Sequence, residues 1–132
     1  MRPRPAAGLR RLAAACCLAA AAAASAAASP LTDGLDAYEE GRYDTARALL
    51  QAAADDGSPA GQFFLGIMYA KAHGVARDRV AALMWLGLSA GSGFAMARRA
   101  HDDLAAAMTP AERAAAAGRA RAWRPAAPRR DE

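Results

Sequence analysis

Residues 65–85 read LGIMYAKAHGVARDRVAALMW, and this stretch decides how the rest of the chain is understood. It holds no serine, threonine or cysteine, so it brings no ordinary nucleophile. Its packing content is high. Leu65, Met68 and Tyr69 stand at helical spacing, and the pair Gly74-Val75 then interrupts the pattern. Asp78 is a good N-cap for a second helix, which carries Ala82 and Trp85 one turn apart. A helix, a turn and a second helix are therefore expected, with Gly74 adopting positive φ and Trp85 filling the space between helices.

Outward from this unit the chain repeats. A shift of 36 residues places Ala46 on Ala82, Leu50 on Leu86, Ala54 on Ala90, Gly57 on Gly93 and Leu49 on Trp85. Matches at i, i+4 and i+8 that stop at glycine describe one face of a helix and its end. Start and stop signals then give helices over about 32–40, 43–55, 59–72, 79–90, 94–108 and 110–123. Ser58-Pro59 and Thr109-Pro110-Ala111-Glu112 are cap-and-proline starts, the second a capping box. No window alternates as a strand would. The expected fold is all-α, three αα-hairpins over about 32–56, 59–92 and 94–123 that form a short α-solenoid, followed by a disordered tail over 124–132.

The spaced set Leu65, Gly66, Met68, Tyr69, Gly74, Val75, Asp78, Ala82, Trp85, Ala90 and Gly93 resembles the Sel1-like repeat, a helical-hairpin repeat of the tetratricopeptide-like superfamily. Two positions depart from the family pattern. Ala72 stands where the first glycine of the turn is usual, and Gly61 stands where a packing alanine is usual. The resemblance implies a protein–protein interaction module, an adaptor or assembly factor, and no enzymatic activity. It also keeps two alternatives open: a peptidoglycan-binding or hydrolase-type role, and a structural accessory domain that homodimerises.

The 132-residue length suits one domain. The first 28 residues have a signal-peptide layout: Arg2, Arg4, Arg10 and Arg11, then an uncharged apolar run from Leu12 to Ala24, then small residues. Cleavage is expected after Ala28, with Ala26 the next choice and an uncleaved anchor the alternative. Both cysteines, Cys16 and Cys17, leave with this segment. The expected location is periplasmic or secreted, with no stable membrane insertion after cleavage. Export also changes the charge. The full chain is +4, whereas loss of four arginines leaves 13 basic and 13 acidic residues, so a nucleic-acid partner is not expected. The balance is polar along the chain. Residues 31–56 carry seven acids against two arginines, and residues 57–132 carry eleven bases against six acids.

Candidate chemistry is sparse. His101, Asp102 and Asp103 are adjacent and point to different sides of a helix, so they read as a solvated face and no metal is expected. His73 reads as a cation at a helix C-terminus. Glu39 and Glu40 read as solvated turn charge. No cofactor is expected, since no phosphate loop or zinc spacing is present. Phe63 and Ile67 lie on a different face of their helix from Leu65, Met68 and Tyr69. Two readings are open for that face. Neighbouring hairpins bury it, or Phe63 and Ile67, with Gln62, Ala70 and Lys71 around them, form a surface for an envelope protein partner or a second copy.

Overall fold

Six α-helices make up most of residues 29–127, the part of the chain described by this computed structural model, and no strand occurs among the described residues. The expected signal segment and residues 128–132 lie outside the described residues. The helices are α1 (Pro30–Glu39), α2 (Tyr43–Asp55), α3 (Pro59–Lys71), α4 (Arg79–Gly91), α5 (Ala95–Ala106) and α6 (Pro110–Ala122). Local chemistry sets their starts. The side-chain oxygens of Ser29, Ser58, Asp78 and Thr109 accept from the N–H groups of Thr32, Gly61, Ala81 and Glu112 at 3.2, 3.1, 2.9 and 3.2 Å. The first helix starts two residues earlier than expected because Ser29-Pro30 repeats the Ser58-Pro59 device. Thr109 and Glu112 complete the expected capping box.

Consecutive helices α1 to α5 pack antiparallel, compatible with a helical repeat solenoid. Ala37, Ala46, Leu50 and Met68 form the interior shared by α1, α2 and α3. Phe63, Leu86 and Ala97 form the one shared by α3, α4 and α5. Two interiors use the same device. A Cβ on Gly34 would lie 3.0 Å from Leu50, and a Cβ on Gly66 would lie 2.9 Å from Leu86. Leu50 and Leu86 are 36 residues apart, but Gly34 and Gly66 are 32 apart. The difference of four lies in the turns, which span 40–42 in the first pair and 72–78 in the second. First helices therefore repeat with a shift of 32, which sets Leu31 and Leu35 on Phe63 and Ile67.

The third pair differs. α6 packs on α4 rather than along α5, and meets α5 only near the end of that helix, where Leu104 and Ala105 join Leu83, Met108 and Ala116. Beyond α6 the chain does not leave the fold at once, which corrects the expected tail for residues 124–127. Trp123 meets Trp85 edge to face with centroids 6.2 Å apart. The Ala126 N–H then donates to the Asp55 carbonyl at the end of α2 at 2.7 Å.

Candidate functional site

The five residues set aside as a binding surface do not share one. Gln62 and Phe63 are buried, with 2% and 7% of their surface exposed. The Phe63 ring lies 5.2 Å from Phe94 and 5.1 Å from Phe64. Gln62 donates from Nε2 to the Ala54 carbonyl at 3.3 Å. Ile67 and Ala70 are half-buried, Ile67 against the same interior as Phe63, and only Lys71 is exposed. The surplus apolar face of α3 is covered by α4 and α5. In sequence the signal was Leu31-Gly34-Leu35, the same pattern in the first helix, hidden by the shorter turn that follows it.

The repeat positions lie where packing needs them. Leu65 and Ala82 are fully buried, and Trp85 is 6% exposed among Ala54, Leu65, Tyr69, Met84, Leu88 and Trp123. Met68 is buried. Gly74 has φ +71, and a Cβ there would lie 2.7 Å from the Tyr43 Cβ, so both conformation and space exclude a side chain. Val75 and Ala90 are half-buried, and Gly93 is left-handed with φ +87. Ala72 also lies in the left-handed region at φ 56, a conformation that favours glycine. A Cβ on Gly61 would lie 2.9 Å from the Ala53 Cβ and 3.0 Å from the Ala54 backbone nitrogen. Alanine is excluded there by the backbone of α2.

The two histidines have particular partners. His73 stacks on Tyr43 with centroids 4.6 Å apart, and its Nδ1 lies 2.9 Å from the Tyr38 hydroxyl. It ties the α3–α4 turn to the first hairpin, a role the expected dipole cap does not include. Burial, with Tyr43 beside it, raises the Tyr38 phenol above its ordinary value, so the hydroxyl keeps its proton at neutral pH. Asp102 and Asp103 are exposed, and His101 is partly so. It points toward α4, lies beside Gly87, and bonds through Nδ1 to Asp102 at 3.1 Å.

His101 borders the hollow that the departure of α6 from α5 opens. The hollow has a volume of about 250 Å³ and is lined by Leu83 and Gly87 of α4, His101 and Ala105 of α5, and Arg113, Ala116, Ala117 and Ala120 of α6. A second hollow of about 320 Å³ continues it through Gly87 and His101 to Ala90, Gly91, Arg98 and Asp102. Together they form a groove whose floor is α4 and whose walls are α5 and α6. Arg113 ties α6 to the end of α5, donating from Nη1 to the Ala105 and Met108 carbonyls at 3.1 and 2.8 Å. At the start of α4 a wider, more polar dish of about 760 Å³ is lined by Tyr69, Arg77, Asp78, Arg79, Val80 and Glu112. Arg79 spans it, donating to the Ala107 carbonyl at 3.2 Å and pairing with Glu112 at 3.4 Å. The Thr109 bonds, and then Arg79, hold the Glu112 carboxyl below the usual glutamate range.

Among the described residues no group of three or more His, Cys, Asp or Glu side chains could hold a metal ion, and no helix is long and apolar enough to cross a membrane. Comparison with protein-family models, curated proteins and solved structures found no match.

Proposed function

We propose that this chain is an exported, non-enzymatic protein–protein interaction module of the cell envelope, an adaptor or assembly factor built on Sel1-like repeats. The groove between α5 and α6 carries the reading. A closed hairpin would bury the facing sides of its two helices, whereas here the apolar sides of Leu83, Ala105, Ala117 and Ala120 line an open channel. The burial of Leu65, Ala82 and Trp85 and the tight approach at Gly66 support the repeat assignment. Export rests on the basic, apolar and small-residue order of residues 1–28.

The test is site-specific photocrosslinking in cells that secrete the chain. A photoreactive residue at Ala117 or Ala120 in the groove should give a discrete adduct, and one at Arg99 on the outer face of α5 should not. Adducts of equal strength at all three positions, or none at any surface position, would overturn the reading.

A further inference from the structure

The groove also indicates what kind of partner fits it. Its floor is unusual. Mid-helix glycine weakens a helix by about 1 kcal/mol relative to alanine, so its presence calls for a reason. At Gly34, Gly61 and Gly66 the reason is intramolecular, because a Cβ would come within 3.0 Å of a neighbour. At Gly87 a Cβ would meet nothing closer than His101 Cδ2 at 3.6 Å, an ordinary contact, and at Gly91 nothing lies within 4 Å. Neither conformation nor packing within the chain requires glycine at Gly87. The bare backbone there, flanked by Ala90, Ala105, Ala117 and Ala120, lets another backbone approach α4 closely.

The charge at this groove is one-sided. Arg98 and Arg113 line it against the single carboxylate of Asp102, which Arg98 contacts at 3.8 Å. The surrounding residues 57–127 carry nine bases and four acids. A second copy could supply negative charge from α1 and α2, but not an anchor. The exposed positions of α1 include Thr32, Asp33, Asp36 and Glu39, and among the described residues the only large apolar side chain that is exposed is Met96, on α5 itself. An extended peptide finds no sheet edge to join. Resting on the interaction reading above, we infer that the α4–α5–α6 groove docks an acidic amphipathic helix of a different protein, its apolar ridge on the Gly87 floor and its carboxylates toward Arg98 and Arg113.

Two fluorescein-labelled synthetic helices provide the probes. Both carry leucines at helical spacing, one with glutamates and the other with lysines on the remaining faces. Anisotropy titration of the purified chain should show the glutamate helix binding at least about tenfold tighter than the lysine helix, with the gap shrinking as salt rises. Ala117→Leu fills the groove from an exposed position, and should weaken the glutamate helix by about tenfold or more without lowering the melting midpoint. Gly87→Ala should weaken it too while raising the midpoint by a few degrees. That combination separates docking from a structural role, because a glycine needed for folding would lower the midpoint when replaced. Equal binding of the two helices, or unchanged binding to Ala117→Leu, overturns the proposal. Sedimentation showing a dimer that Ala117→Leu converts to monomer also overturns it, since the occupant would be a second copy. If neither helix binds but photocrosslinking still finds a partner at Ala117 or Ala120, the acidic-helix proposal fails and the interaction reading stands. If crosslinking fails as well, both fall.

Discussion

The α3–α4 pair and the α5–α6 pair are made of similar residues and end differently. In α3–α4 small residues at the tightest contacts face large ones. Gly66 receives Leu86, and Gly74 lies on Tyr43. Leu65 and Trp85 fill the side toward α2 and Trp123. Between α5 and α6, Ala105, Ala117 and Ala120 line open space, and Ala116 is the one buried residue of α6. A glycine or alanine in a helix is therefore informative only together with what faces it. Where a bulky neighbour fills the space, the small residue sets a close packing distance. Where nothing does, it leaves a groove.

The largest test of this contrast is Trp85→Ala. A buried aromatic lost from the centre of the tight pair should cost about 3–5 kcal/mol, read by denaturant unfolding. A midpoint like that of the parent chain would mean that α3–α4 is no better packed than α5–α6. Next comes Gly66→Ala, which puts a methyl 2.9 Å from Leu86 and 3.2 Å from the Ala82 carbonyl. Overpacking should lower stability by about 1–3 kcal/mol, whereas Gly87→Ala in the open groove should raise it, and opposite signs at the two glycines are the sharpest form of the comparison.

Ala72→Gly should be stabilising, because the left-handed conformation costs a non-glycine residue about 1–2 kcal/mol and the greater freedom of glycine in the unfolded chain returns only part of that. A net gain of roughly 0.5–1 kcal/mol in urea unfolding is expected, and a loss would show that the Ala72 methyl does something the turn needs.

The smallest effect concerns pH at the start of α6. Glu112 has a folded pKa below its ordinary value of 4.5, so its contribution is complete above that value and disappears as pH falls through the lower folded one. Acid should therefore loosen α6 before α3–α4, seen as faster amide exchange in the first turn of α6, and Glu112→Gln should remove that acid dependence.

Much of the fold was legible because it is local. Caps at Ser58, Asp78 and Thr109, the positive φ of Gly74 and the helical spacing of Leu65, Met68 and Tyr69 are decided within a few residues of chain. The candidate site was legible in the wrong place. Phe63 and Ile67 read as surplus because the 36-residue shift aligned second helices, while the first helices repeat at 32, and a four-residue difference in turn length hid Leu31 and Leu35 as their counterparts. The groove had almost no signal. Its signal was Gly87, a glycine inside a helix, and Gly118 in α6 gives the same signal away from the groove lining.

By itself, then, the sequence determined that the chain is helical, where α3, α4 and α6 start, and which residues of the 65–85 unit turn inward, since these follow from short-range sterics and from periodicity along one helix. Tertiary structure alone decided what covers Phe63, that His73 binds Tyr38, and that α6 lies on α4 with Trp123 against Trp85. An alanine-rich helix has nearly uniform faces, so its partner is chosen by the volumes and turn lengths of the helices it meets, and those quantities exist only once the chain has folded back on itself.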